Sequence, residues 1–306
     1  MRFVVIGAGG VGGYFGARLA RRGTPVTFVA RGTQLDAIRA AGLRIRSAID
    51  GEFVVRPDVV DDVRGQEPAD VVLVTVKAFD TDAALEAVRP IVGPDTAVLS
   101  LQNGIDAIER IDARLGAGHA LGGAAYVFAS IESPGVIAHS FGGRIAFGEP
   151  DGRRTPRAER IREAFVAAEV PVELSTEIRN VLWEKYLLIC AQAGLTALAR
   201  APIGVIRTTP ETWTMYGRVL EELAALAGRD GAGLRPDIVD RTLEAARALA
   251  PGALSSLHHD LVQGKRLELE ALHGHAVRLG ERYGVPTPVL FAIYAALKPH
   301  AEGTSR

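Results

Sequence analysis

The chain has 306 residues, enough for one large or two ordinary domains with substantial cores. Its 35 Lys and Arg are balanced by 36 Asp and Glu, which argues against nucleic acid as a main partner. A single cysteine, Cys190, excludes a disulfide scaffold and Cys-rich metal sites.

The first apolar run, Phe3 to Ile6, leads directly into G-x-G-x-x-G at Gly7, Gly9 and Gly12, and a helix-compatible stretch, Tyr14 to Arg22, follows. Between a buried strand and a helix this pattern reads as a dinucleotide-binding turn. Gly7 permits the tight turn, Gly9 lets the backbone approach a pyrophosphate, and Gly12 lets the helix pack closely on the strand. The next strand, Pro25 to Val29, is followed by Ala30-Arg31-Gly32. An NAD-preferring site places an acid near this point to bind the ribose 2′-hydroxyl. Here there is no acid, and the Arg31 guanidinium suits a 2′-phosphate, so NADP(H) is favoured over NAD(H).

Further along, the pattern predicts a helix over Thr33–Ala41 and strands near Leu43–Arg46 and Phe53–Val55. Val71–Val76 has the continuous apolar character of a central parallel strand. A helix over Thr81–Arg89, a strand over Ala97–Leu101 and a helix over Ile105–Leu115 come next. Strands are expected at Gly122–Ser130, Val136–Ser140 and Ile145–Gly148, then a helix at Pro156–Ala168 and a closing strand at Val170–Leu174. The alternation implies a Rossmann-type, doubly wound, mostly parallel sheet over residues 1–174. From 175 to 306 the strand signals stop, and helices are expected over 177–199, 210–229, 236–250, 265–284 and 288–298, an all-α domain. Such a pair of domains suggests a reaction in the cleft between them. With a strand opening at residue 3, no signal peptide is expected. Tyr186 to Ala199 is too short and too interrupted to span a bilayer, so a soluble, cytoplasmic protein is expected, with no membrane partner.

Three groups of residues could carry chemistry. Lys77 and Asn103-Gly104 follow strands at their carboxyl ends, where doubly wound sheets hold ligands. By position alone Lys77 reads equally as a snorkelling surface lysine, and Asn-Gly is a common turn dipeptide. In W-E-K-Y-L-L-I, Lys185 sits in an otherwise apolar segment, where partial desolvation would lower its pKa toward a range useful for proton transfer. The alternative is an ion pair with Glu184 or Glu177. Helical spacing places Lys185, Ile189, Gln192, Ala193 and Thr196 on one face. His258-His259 and His273-Gly-His275 do not converge on one ion, so they are read as structural and no metal is expected.

Taken in order, G-A-G-G-V-G at 7–12, Arg31, T-V-K at 75–77, Q-N-G at 102–104, W-E-K at 183–185, S-S-L-H-H-D at 255–260 and L-E at 267–268 resemble the ketopantoate reductase (2-dehydropantoate 2-reductase) family over the whole chain. The resemblance implies NADPH-dependent reduction of a 2-oxo acid, in the eponymous case giving pantoate for coenzyme A synthesis. It implies that Gly7, Gly9, Gly10, Val11 and Gly12 cradle the pyrophosphate, that Arg31 binds the 2′-phosphate, and that Lys77 and Asn103 lie near the nicotinamide and the reacting centre. Lys185 becomes the general acid, Ser256 the partner of the substrate carboxylate, and Glu268 a group that binds substrate or orients Lys185. Without the resemblance Ser256 reads as a helix cap and Glu268 as a solvated helix charge. Family enzymes carry asparagines where this chain has Ile189, Ala193 and Ala253; Gln192 is the polar group available in their place. An unpaired substrate hydroxyl in a dry pocket costs roughly 1–3 kcal/mol, so a more apolar 2-oxo acid or ketone is the alternative substrate. A non-catalytic NADPH-binding regulator is the rival from another class, against which the retained Lys185 and Glu268 argue. The helical half leaves a homodimer open.

Overall fold

Short apolar runs without polar alternation suit strands that are covered on both faces. In the computed structural model, which describes residues 1–304, the chain divides into two units. One comprises Met1–Gln102 with Asp106–Ile178; the other comprises Asn103–Ile105 and the chain from Arg179 onward.

The first unit runs β1 (Phe3–Ile6), α1 (Gly10–Arg21), β2 (Val26–Val29), α2 (Gly32–Ala41), β3 (Leu43–Ser47), β4 (Gly51–Val55), β5 (Asp58–Val60) and β6 (Val71–Val74). It continues with α3 (Thr81–Val88), β7 (Ala97–Ser100), α4 (Ala107–Leu115), β8 (Ala120–Ser133), β9 (Val136–Gly148), α5 (Pro156–Ala167) and β10 (Val172–Leu174). The sheet order is β4-β3-β9-β8-β7-β6-β1-β2-β5, with β10 beside β9. From β5 to β8 every pair is parallel, the doubly wound arrangement expected. Side chains alternate between two cores: Phe3, Val5, Phe28, Leu73 and Leu99 enter one, and Val4, Ile6, Val72, Val74 and Val98 the other. Each such side chain, fully buried, contributes about 1.5–3 kcal/mol, which is why both faces of these strands are predominantly apolar.

Two expectations need correction. The strands expected at Val136–Ser140 and Ile145–Gly148 are one strand, β9, which pairs antiparallel with β8 in a hairpin of 14 and 13 residues. Gly142 and Gly143 both have positive φ and sit beside a shift of register opposite Tyr126 and Val127. They form a bulge that bends the strand without ending it, although in sequence they look like a break. The short strand β5 was also not expected; it lengthens the parallel edge beside β2.

Inside this unit a polar cluster ties α1 to the β3–β4 turn and to β9. Arg18 pairs with Asp50 at 2.6 Å, the Tyr14 hydroxyl donates to Asp50 at 2.8 Å, and Ser47 bonds His139 at 2.7 Å. Burial, and then the hydrogen bond to Asp50, pushes Tyr14 up to about 12. Desolvation works against ionised Asp50, but hydrogen bonds from Tyr14 and Arg18 hold its carboxyl below the ordinary range.

The second unit is helical: α6 (Ile178–Ala199, starting at the boundary), α7 (Ile203–Thr208), α8 (Pro210–Arg229), α9 (Ile238–Ala248), α10 (Ser256–Val262), α11 (His275–Tyr283) and α12 (Pro288–Leu297). The helix expected over 265–284 does not form as one piece. A π-helical turn, Glu270–Gly274, precedes α11, and residues 265–269 lie outside any helix. The short helices α7 and α10 were not expected. Trp183, Tyr186, Leu187 and Cys190 of α6 pack with Tyr216, Leu220 and Leu223 of α8 and with Leu290 and Ile293 of α12. Burial pushes the Cys190 thiol pKa up. Among the described residues no helix is long and apolar enough to cross a membrane.

The α12 N-terminus is capped from a neighbouring helix. Pro288 takes the position where no amide is needed, and Glu222 of α8 accepts hydrogen bonds from the Val289 and Leu290 amides, both at 2.9 Å. Glu222→Ala should therefore lower the free energy of unfolding by about 0.5–2 kcal/mol in urea titration, and Glu222→Gln, which keeps an acceptor, should lose less.

Candidate active site

The parallel register brings four strand ends level. Ile6 pairs with both Val29 and Val74, and Val74 pairs with Ser100. The segments that follow, Gly7–Gly9, Ala30–Arg31, Thr75–Lys77 and Leu101–Gln102, therefore emerge along one carboxyl edge, where α/β sheets hold ligands. Gly7 has φ +104°, and a Cβ there would lie 2.8 Å from the Val76 amide nitrogen. A Cβ on Gly12 would lie 2.2 Å from both the Gly7 carbonyl and the Thr75 Oγ1. The Thr75 hydroxyl in turn lies 2.9 Å from the Ile6 and Gly7 carbonyls, so α1 starts in direct contact with two strand ends.

In front of Gly9 the space is open, with nothing within 4 Å of a would-be Cβ. Helix geometry leaves the amides of Gly10, Val11 and Gly12 without acceptors inside α1, at the positive end of its dipole. Open space, free amides and no acidic residue in the first turn fit a diphosphate. Gly10 also meets a packing limit, since a Cβ there would lie 2.0 Å from the Ala129 carbonyl of β8. Arg31 stands exposed at the start of α2 and makes no ion pair among the described residues. One residue missed in the sequence braces this turn: Gln34 donates to the Ala8 carbonyl at 2.7 Å and accepts from the Gly135 amide at 2.9 Å. Lys77 is exposed just past β6. Its loop is held by Gln102, whose amide donates to the Val76 carbonyl at 2.9 Å and to Thr81 Oγ1 at 2.8 Å.

In the helical unit, Asn103 is half-buried. Along α6 the half-buried residues Val181, Leu182, Lys185, Leu188, Ile189 and Gln192 fall at helical spacing and form one stripe. Ala193 and Thr196 continue the face of Lys185 two to three turns further along, where the core buries them. Thr196 donates to the Gln192 carbonyl at 2.7 Å and bonds Ser255 at 2.8 Å. Desolvation by the apolar stripe draws Lys185 down from 10.5 to about 8, while the negative charge of Glu268 pulls it up. Glu268 is 8% exposed and precedes the π-turn, so it is neither solvated nor on a helix as read from sequence alone. Of the residues expected to act together, Lys185 is thus the one on which the charge of Glu268 bears.

Ser256 is exposed and opens α10, but the capping hydroxyl belongs to Ser255, which accepts from the His258 amide at 3.0 Å. The Ser255–Thr196 bond anchors this corner to α6 about 16 Å along the axis from Lys185. His258 and His273 bond the backbone carbonyls of Thr196 and Cys190. No cluster of three or more His, Cys, Asp or Glu that could hold a metal occurs among the described residues.

Comparison with known proteins covers both units. A family model described as ketopantoate reductase PanE/ApbA matches residues 3–152, and its C-terminal counterpart matches residues 177–301. An oxidoreductase of Bacillus subtilis described as uncharacterized is 31% identical over 97% of this chain and 98% of its own. A 2-dehydropantoate 2-reductase of Mesorhizobium japonicum is 30% identical over 97% of each chain. The crystal structure of a PanE/ApbA family ketopantoate reductase from Ralstonia eutropha superposes with a TM-score of 0.91 at 32% identity, covering 98% of both chains.

The depressed pKa of Lys185 carries a sign that can be checked. Between about 8 and 10.5 the folded protein binds less proton at this site than the unfolded chain, so this group's contribution to stability rises with pH across that window. Lys185 should titrate near 8 by pH-dependent competitive amine labelling. Glu268→Gln, which removes the opposing charge, should move that midpoint lower.

Proposed function

Since the chain belongs to the ketopantoate reductase family through both of its units, we propose that it reduces a 2-oxo acid to the 2-hydroxy acid with NADPH. The observation that carries this reading is Lys185: an ammonium drawn down to about 8 in an apolar stripe, with buried Glu268 acting on it. Such a group is mostly protonated at neutral pH, yet gives up its proton far more readily than an ordinary lysine.

When bound, the dinucleotide supplies the hydride that adds to substrate C2. The amides of Gly10, Val11 and Gly12, behind the turn made by Gly7 and Gly9, bind its diphosphate, and Arg31 binds the 2′-phosphate. Lys77 and Asn103 serve the nicotinamide side and the reacting carbonyl, and Ser256 takes the substrate carboxylate. Lys185 donates its proton to the carbonyl oxygen as negative charge grows there, and its own charge stabilises that oxygen beforehand. Glu268 favours the charged form of Lys185, so the donor is loaded before each turnover.

With ketopantoate as substrate the product is pantoate, a precursor of coenzyme A, and this is the first assignment. A second reading keeps the chemistry and changes the substrate. The stripe around Lys185 is Val181, Leu182, Leu188 and Ile189, with Gln192 as its neutral polar member, which favours a less hydroxylated 2-oxo acid.

Steady-state NADPH oxidation with ketopantoate beside unhydroxylated branched 2-oxo acids separates the two, the better kcat/KM naming the substrate. Lys185→Ala should lower kcat by about 10²–10⁴ and leave NADPH affinity unchanged; equal loss of both would refute its role. Arg31→Ala should weaken NADPH much more than NADH, and an unaltered cofactor preference would remove that assignment.

A further inference from the structure

Ahead of α11 the chain leaves α-helical geometry. The Gly274 amide reaches back five residues to the Leu269 carbonyl, at 2.9 Å, in the wide turn Glu270–Gly274. Turns of this kind are uncommon and concentrate at functional sites. This one is clamped on both sides. Outside, the Glu270 carboxylate takes Arg278 at 2.7 Å, Tyr294 at 2.8 Å and also Lys298. Inside, two struts join it to α6: the Tyr186 hydroxyl donates to the Leu272 carbonyl at 2.5 Å, and His273 Nε2 lies 3.0 Å from the Cys190 carbonyl.

His273 is wholly buried. Because Nε2 faces a carbonyl, that nitrogen carries the proton, and Nδ1 is left an acceptor with no hydrogen-bond partner. An orphaned buried acceptor is destabilising, so an apolar residue would fill this space at less cost. The fit is also tight: a Cβ on Gly194, one turn past Cys190, would lie 2.4 Å from His273 Nε2 and 3.0 Å from Ile293 Cγ2. The strut ends stand in matching places. Cys190 is five residues after Lys185, and His273 is five residues after Glu268.

We propose that His273 is a positioning residue: bonded to the Cys190 carbonyl and wedged against Gly194, it sets the register of the π-turn on α6 and so holds Glu268 at Lys185. The inference rests on the proposed role of Lys185 as proton donor. The charge acting on Lys185 from the packed elements is that of Glu268, while Glu184, its neighbour on α6, is exposed. Burial draws His273 down to about 4, so it stays neutral wherever Lys185 titrates and adds no charge of its own.

The test compares His273→Phe, which keeps bulk without a donor, with His273→Gln, which keeps a donor. Competitive amine labelling follows the Lys185 midpoint, and kcat and KM are measured on the 2-oxo acid that the wild type turns over best. In His273→Phe the midpoint should fall below the wild-type value, with kcat down about tenfold and the NADPH KM within about twofold. His273→Gln should restore both. A folded His273→Phe protein with an unchanged Lys185 midpoint overturns the proposal, whatever its activity. If His273→Phe does not fold, Gly194→Ala serves instead: its methyl must displace the imidazole, and an unmoved midpoint there overturns the proposal equally. A wild type that turns over no 2-oxo acid would end the proposed reaction and leave the labelling result to decide the positioning role.

Discussion

The contact of α1 with the ends of β1 and β6 is the constraint on which the rest of the first unit depends. Gly12 lies where even a methyl group would collide with the Gly7 carbonyl and Thr75, and the Thr75 hydroxyl is already shared between the Ile6 and Gly7 carbonyls. A helix held that close must begin where the strand stops, so its unpaired amides point out at the carboxyl edge rather than into the sheet. The same helix carries Tyr14 and Arg18 into the cluster with Asp50, which joins it to β3, β4 and β9. One steric limit thus aligns the glycine turn with the strand ends.

The two units treat positive charge in opposite ways. In the first, the cations Arg31 and Lys77 stand exposed past the strand ends. In the second, Lys185 lies half-buried in an apolar stripe where charge is disfavoured, and Glu268, itself largely buried, offsets part of that penalty. In the reaction proposed above, the first pair anchors the ligand and Lys185 supplies the proton. Burial is what sets Lys185 apart from an ordinary lysine.

Much of this was legible in the chain itself. Continuous apolar runs at Phe3–Ile6, Val71–Val74 and Ala97–Ser100 read as parallel strands because burial on both faces erases alternation. The glycine turn was legible because its spacing answers steric demands that act over a few residues. What escaped depends on distant partners. Gly142 and Gly143 resemble a strand break until β8 is seen to pair across them, and the periodicity of Leu269, Leu272, Ala276 and Leu279 continues through a π-turn that hydrogen bonding, not hydrophobic spacing, creates. Gln34 and His273 likewise act through carbonyls of other segments, 26 and 83 residues away, and no local pattern marks them, while Thr75 and Gln102 fall in quoted motifs whose spacing does not disclose their bonds to distant carbonyls. Ala193 and Thr196 do fall on the side of α6 that carries Lys185, but that end of the helix is covered by the corner at Ser255, a contact that the sequence of α6 alone does not reveal.

The burial of Cys190 has a practical corollary. It is the chain's one cysteine, it lies in the helical core, and its thiol is pushed far from ionisation. The folded protein therefore presents no nucleophilic sulfur, and modification by a maleimide or a disulfide reagent would report that the helical core has opened. A cysteine introduced at any exposed position would be a uniquely addressable handle, so spectroscopic probes could be attached at will without first removing a native thiol.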